Sequence, residues 1–386
     1  QVGDSAGAEL TVDRVERCEV IVAGGSTAAL AAALTSAREG AVTCLTEPTD
    51  WVGGQLTAAG VPAIDAAWHK VGGLDVGALA RDPANLPREL ADWLRALGNP
   101  GACWVSHNCF RPDRFHAQTL LPALRDPQLG GRLRVLFTTT IKQVRSEPGP
   151  NGPQITDVFA VTRTPVAGAG PQFLSAALAD WYDPEDSPQF TKEVVRLTGP
   201  EGERPVVIDA TELGDVLVLA GAPYLQGAEV ADGATTTADD RCGQAMVLPF
   251  VIRHDAAPRV EPANPFPVDH PEFYGIGKYS WDQVWRYRRI VDGPGEGYAG
   301  DRSLQNWNPG NDFPEGYLFL GRAQAEEQRE DWAGGVDLEV LAAAERHAYG
   351  WFWWLKAHAP AGVGEHLGLD RELLGSPTGL AKFPYL

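Results

Sequence analysis

Short apolar runs alternate along the chain with glycine-punctuated turns and amphipathic stretches. The first run, Cys18-Glu-Val-Ile-Val-Ala23, is apolar at most positions and predicts a buried parallel strand. Gly24-Gly25-Ser26-Thr27 supplies a turn. Ala28 to Arg38, rich in Ala and Leu and lacking Gly and Pro, predicts a helix closed by Gly40. Ala41-Val-Thr-Cys-Leu-Thr46 predicts the next strand, which ends on Glu47. One further strand is expected within Arg134 to Arg145, and another at Pro205-Val-Val-Ile-Asp209. Trp281, Trp285, Tyr287 and Arg288 recur at helical spacing, as core and surface of one helix. Leu338 to Ala357 reads as a single helix, with the aromatic run Tyr349-Gly-Trp-Phe-Trp-Trp354.

Strand, glycine turn, helix, strand and terminal acid make the βαβ arrangement that grips dinucleotides. Two of its three glycines are replaced here: with Gly24 first, Ser26 and Ala29 stand at the second and third positions. Both are small enough for close backbone approach, and the helix start still offers N–H groups and positive dipole to phosphate. Glu47 stands where a carboxylate accepts the ribose hydroxyls of an adenosine. A competing reading makes Gly24-Gly25-Ser26-Thr27-Ala28 a nucleophile elbow, with Ser26 attacking and His347, His358 or His366 as its base. The loop that runs from Glu47 to Gly53-Gly54, able to lie against a large flat ligand, favours the first.

At 386 residues the chain is long enough for two domains, and 44% hydrophobic residues can bury a sizeable core. Its formal charge of −19 argues against nucleic acid as a partner, since a phosphate surface would repel it. No run approaches the roughly 20 apolar residues of a membrane span. Of the five cysteines, Cys18 and Cys44 lie in apolar runs and are expected as buried free thiols, while Cys103 and Cys109 either close a short loop or stay unpaired. The chain begins on Gln1 and contains only Met246, which fits trimming or removal of a signal peptide. Export to a secreted or periplasmic location is the expectation, with the cytoplasm as the alternative.

Several stretches in order resemble one family, the FAD-dependent oxidoreductases of the glutathione-reductase-like superfamily. They are Val20-Ile-Val-Ala-Gly-Gly-Ser-Thr-Ala-Ala-Leu30, Glu47-Pro-Thr-Asp-Trp-Val-Gly-Gly-Gln-Leu-Thr57, Asn99-Pro-Gly-Ala-Cys-Trp-Val-Ser106, Ile208-Asp-Ala-Thr-Glu-Leu-Gly-Asp215, Asn306-Trp-Asn-Pro-Gly-Asn-Asp312 and Gly379-Leu-Ala-Lys-Phe-Pro-Tyr385. The resemblance implies bound FAD. Gly24, Gly25, Ser26, Thr27 and Ala29 would meet the pyrophosphate, Glu47 the ribose, and Gly53, Gly54, Gln55 and Leu56 the ribityl chain and flavin ring. Ala210, Thr211, Glu212, Gly214 and Asp215 would form a second turn at the cofactor, although many relatives have glycine in place of Glu212. Ile141 would meet the adenine through its backbone.

The implied fold class is α/β: a Rossmann-like FAD-binding domain, discontinuous in sequence at 15–60 and 131–221. An inserted α+β substrate region is expected at 61–130 and 222–386. Relatives continue past the Phe-Pro-Tyr motif with a strand that closes the flavin sheet. That strand is not found here, so a second polypeptide is expected to complete the fold, the alternative being a C-terminal part that is disordered or absent from this chain. Chemistry is expected from a hydride leaving a small-molecule donor for the flavin while a base takes the neighbouring proton. His107, Asn306 and Asp312 are the candidates for that work, and no metal pattern is present. An oxidase acting on an amine, amino acid or sugar alcohol is the leading function, and the acidic balance favours the amine. The alternatives are the serine hydrolase on Ser26 and a non-catalytic flavin-fold subunit.

Overall fold

A computed structural model describes residues 9–64, 70–71, 74–75, 87–227, 241, 245–261, 279–291, 298–308, 310–313 and 317–386. Pro309, within one of the stretches above, lies outside them. The chain divides into two compact units. Gln1–Gly54, Leu120–Met246 and Pro314–Ala343 form the first, and Gln55–Thr119, Val247–Phe313 and Ala344–Leu386 the second.

The first unit begins with strand β1 (Arg14–Arg17), followed by β2 (Val20–Ala23), helix α1 (Thr27–Arg38) and β3 (Thr43–Thr46). Helix α1 starts where Ser26, in extended conformation, accepts the Ala29 N–H through Oγ at 3.2 Å. It buries Ala29, Leu30, Ala33, Leu34 and Ala37, a stripe at helical spacing whose small alanines let the helix lie close to the sheet. Burying each leucine contributes roughly 1.5–3 kcal/mol. Every residue of β3 is buried, as expected of an interior parallel strand.

The expected strand within Arg134 to Arg145 is in fact two, β4 (Leu133–Leu136) and β5 (Thr139–Gly149). Thr138 between them has φ of +51°, a left-handed conformation that no strand can propagate. β6 (Gly152–Pro165), helix α2 (Leu174–Tyr182), β7 (Phe190–Thr198), β8 (Val206–Asp209) and helix α3 (Asp215–Leu219) follow. One sheet has the order β8-β2-β3-β4 and is parallel throughout. The other, β1-β7-β6-β5, is an antiparallel meander with β1 added in parallel. This is a mixed α/β fold with a Rossmann-like parallel sheet.

Cys18 and Cys44 are not free thiols; they form a disulfide, with Cα atoms 5.8 Å apart. The chain bends at Glu19 between β1 and β2, where Glu19 N–H donates to the Val42 carbonyl at 2.8 Å, and this brings Cys18 within disulfide reach of Cys44 on β3. Cys103 and Cys109 also pair, across a sequence separation of 6.

In the second unit, β9 (Phe250–His254), β10 (Arg289–Val291), β11 (Arg302–Gln305) and β12 (Leu367–Leu369) make an antiparallel sheet of order β10-β11-β9-β12. Its core gathers Val105, Val251, Ile290 and Leu304 around the Cys103–Cys109 bridge. Trp281–Tyr287 is helical as expected, and so is Leu338–Ala357, which buries Trp351 and Phe352 and leaves Trp353 and Trp354 partly exposed. Among the described residues no helix is long and apolar enough to cross a membrane.

Candidate functional site

The parallel sheet ends its strands β2, β3 and β8 in one place, and the turns that leave them meet there. Gly24 has φ of +94°, and a Cβ on it would lie 2.2 Å from the Ala210 carbonyl oxygen. Its N–H donates to Thr46 Oγ1 at 3.0 Å, which ties the turn to the end of β3. A Cβ on Gly25 would lie 1.9 Å from Glu47 Oε2. Gly53 N–H donates to the Gly25 carbonyl at 2.7 Å, and a Cβ on Gly54 would meet Glu212 Oε1 at 2.6 Å and Ser26 Cα at 3.0 Å. Three turns are thus packed backbone against backbone, at a spacing only glycine permits. Above them the start of α1 leaves the Thr27 and Ala28 N–H groups without intrahelical acceptors.

Glu47 is almost fully buried, and its Oε1 accepts both the N–H and the hydroxyl of Thr49 at 2.7 Å. Burial pushes its carboxyl up to about 8, against the pull of those two bonds, with Glu212 and Asp50 adding repulsion. Burial also raises Glu212. Asp215 opens helix α3, where its Oδ1 accepts Tyr182 Oη–H at 2.9 Å and Trp332 Nε1–H at 2.6 Å. Burial moves it up to about 6. Thr211 takes the Asp215 N–H on its hydroxyl, and Gly214 enters α3 at φ of +70°.

The structure therefore gathers Gly24, Gly25, Ser26, Thr27, Ala29, Glu47, Gly53, Gly54, Ala210, Thr211, Glu212, Gly214 and Asp215 within the first unit. Ile141 sits apart, buried on β5, the outer strand of the meander, beside a bulge between Ile141 and Gln143. Gln55 and Leu56 belong to the second unit, where the Gln55 carbonyl accepts Val61 N–H at 2.9 Å. Sequence reasoning missed Thr49, whose hydroxyl orients Glu47, although a threonine two residues after the acid is a readable turn signal. It also missed Thr138 and Arg163, which carry no such signal.

The elbow geometry is absent at Ser26. Its φ of −62° and ψ of 171° are ordinary extended values, and its hydroxyl caps α1 while donating to the Ala210 carbonyl at 3.3 Å. The histidines weighed as its base each engage a backbone carbonyl: His347 that of Gly310, His358 that of Trp354 and His366 that of Asp255.

In the second unit His107 is exposed on the disulfide-closed loop. Asn306 is buried, and its carbonyl accepts Arg288 Nη1–H. Asn311 pins the turn from Trp307 to Asp312: Oδ1 accepts Trp307 N–H at 3.0 Å, and Nδ2 donates to Leu248 and Gln305 carbonyls. Asp312 Oδ1 is buried and, among the described residues, has no hydrogen-bond partner; burial raises its carboxyl while Arg288 opposes the shift. Among the described residues no cluster of His, Cys, Asp or Glu could hold a metal ion.

Residues 19–170, less than half of the chain, match the family model of FAD dependent oxidoreductases. Among curated proteins none matches. Solved structures similar to the chain include THI4 of Thermovibrio ammonificans, at 12% identity over 55% of this chain and 67% of that one, TM-score 0.29. A geranylgeranyl bacteriochlorophyll reductase-like protein of Thermoplasma acidophilum matches at 12% identity over 82% and 61%, TM-score 0.33. A 3-ketosteroid dehydrogenase of Rhodococcus jostii matches at 16% identity over 64% and 58%, TM-score 0.26. The chain spans less than two thirds of the last two. The matched family makes oxidoreduction the class of chemistry and FAD the cofactor. The arrangement fits that group: helix α1 starts, with N–H groups that lack intrahelical acceptors, beside glycine turns packed against one another, and the Glu47 carboxyl lies with them.

Proposed function

We propose that this chain binds FAD in the glutathione-reductase-like manner and serves an oxidase of small amines, amino acids or sugar alcohols. The observation that carries the reading is the three-way packing of Gly24, Gly25 and Gly54 beside Glu47. Gly24, Gly25 and Ser26 would border the pyrophosphate, with the Thr27 and Ala28 N–H groups donating to it. The Glu47 carboxylate would accept the ribose hydroxyls while Thr49 holds its other oxygen. FAD, when bound, supplies the hydride-accepting ring. Asp312, raised by burial and with no partner on Oδ1 among the described residues, is the proposed acceptor of the donor's N–H or O–H proton. His107 and Asn306 remain proposed contributors to donor binding. The donor loses two electrons and two protons, which dioxygen takes up as hydrogen peroxide.

Two features extend the proposal. β8 borders the parallel sheet and is half exposed, with Val206 60% exposed, unlike the buried β3 beside β2. Among the described residues no strand pairs with its far side, and such an edge supports a further strand from a second polypeptide; the 61–130 and 222–386 segments are the proposed inserted substrate region. The two disulfides support a secreted or periplasmic location, where such bonds persist.

The test is the visible spectrum of the purified protein and a screen of donors for peroxide release. Flavin absorbance that a donor bleaches without oxygen, and that returns with peroxide in air, is the expected result. A colourless protein that takes up no added FAD would refute the reading.

A further inference from the structure

Two costly features of the first unit converge on one short loop. Arg163, on β6, is 3% exposed, and among the described residues no carboxylate lies within salt-bridge distance of it. A buried cation without a paired anion is strongly disfavoured unless its donors are used for something. Its Nη2 donates to the Pro48 carbonyl at 2.6 Å, its Nη1 to the Trp181 carbonyl at 3.2 Å and to Thr140 Oγ1 at 3.4 Å, and the guanidinium lies 4.4 Å over the Trp181 ring. Burial lowers the group to about 9, with Tyr182, Asp180 and Glu47 opposing the shift from farther away.

Thr138 is the second feature, a β-branched residue held at φ of +51°. Such strain persists only where neighbours over-determine it. Thr138 N–H donates to the Thr49 carbonyl at 2.9 Å, and its hydroxyl donates to the Arg163 carbonyl at 2.6 Å. Arg163 N–H returns a bond to the Thr138 carbonyl at 2.9 Å. Next to it, Thr139 N–H donates to the Glu47 carbonyl at 2.8 Å. All three residues of Glu47-Pro48-Thr49 are therefore gripped through their carbonyls, and Thr49 in turn aims the Glu47 carboxylate.

We propose that Arg163 and Thr138 are positioning residues that pre-set the Glu47–Thr49 loop to receive the adenosine half of the cofactor. The inference rests on the FAD reading above and deepens it. A loop fixed before binding loses less freedom on binding, so the clasp acts on affinity for the ribose end more than on folding.

The full chain, stripped of flavin, is titrated with FAD, ADP and FMN, with Arg163→Met and Thr138→Gly as variants. Methionine keeps the buried stem without the donors, and glycine keeps the left-handed backbone without the hydroxyl. FAD and ADP binding are expected to weaken about tenfold in both variants, with FMN binding unchanged and the thermal midpoint of the flavin-free protein held or raised. Unaltered ADP affinity in both variants would overturn the proposal, as would equal losses for ADP and FMN, which mark general loosening. If Arg163→Met does not fold, Thr138→Gly decides by the same comparison. Failure of the wild-type chain to bind either FAD or ADP would instead overturn the underlying cofactor reading.

Discussion

Glu47 makes the cofactor site sensitive to pH in a direction that can be worked out in advance. Its carboxyl stands at about 8 in the folded chain, against an ordinary value of 4.5, because burial disfavours the charged form. A group raised on folding contributes stability that is whole below its unfolded value and is lost as pH rises through its folded value. The gap between 4.5 and about 8, at about 1.4 kcal/mol per pH unit, caps the contribution at about 5 kcal/mol. Between pH 5 and pH 9, about 4 kcal/mol of it disappears. The perturbation is Glu47→Gln, which keeps the shape and cannot ionise. Urea unfolding of the flavin-free protein and the variant is followed at pH 5, 7 and 9. Wild type is expected to lose stability relative to the variant across that range. On the proposed contact, bound FAD would reverse the preference, because ribose hydroxyls donate best to an ionised carboxylate. Wild-type FAD affinity should therefore rise with pH and binding should release protons, both absent in the variant. A difference between the two proteins that is flat from pH 5 to pH 9 would refute burial as the force acting on Glu47.

Other outcomes test neighbouring parts of the reading. Gly25→Ala places a Cβ 1.9 Å from Glu47 Oε2, so the purified variant should hold little flavin, read as the ratio of visible to ultraviolet absorbance. Glu212→Gly removes the carboxyl crowding Gly54 and should tighten FAD about threefold or more, measured by fluorescence quenching, through relief of a buried acid beside a pyrophosphate. Asp312→Asn should retain flavin while donor-dependent reduction slows by about 100-fold or more in stopped flow, the usual scale for a lost general base. Cys18→Ser with Cys44→Ser opens a loop of sequence separation 26 and should cost about 3–4 kcal/mol in denaturant unfolding.

The βαβ unit was readable because its determinants are local. An apolar run, a glycine turn, an alanine-rich stretch with its serine cap and a terminal acid each act within a few residues, and helix α1 lies where they predict it. The glycine turn also advertised the cofactor, since close backbone approach excludes most other residues. Arg163 shows the opposite case. In Val-Thr-Arg-Thr-Pro it looks like a solvated strand charge, and only the packing of α2 and the loop after β3 buries it. The Cys18–Cys44 bridge was misjudged for a similar reason: apolar neighbours say that a cysteine is buried, not which strand lies beside it.

By itself the sequence determined the strand-turn-helix-strand start, the glycines of its turn, the acid that follows, and the acidic character of the whole. Backbone conformation and helix capping are short-range, so these follow from neighbouring residues. The tertiary structure alone decided that Glu47 is buried, that Glu212 lies against Gly54, and that Thr138 and Arg163 grip the loop between them. Desolvation and hydrogen bonding between residues from about 25 to more than 100 positions apart arise only when strands and loops from separate segments pack together. Charge state and pre-organisation at this site are therefore properties of the fold, whereas the site's location is a property of the chain.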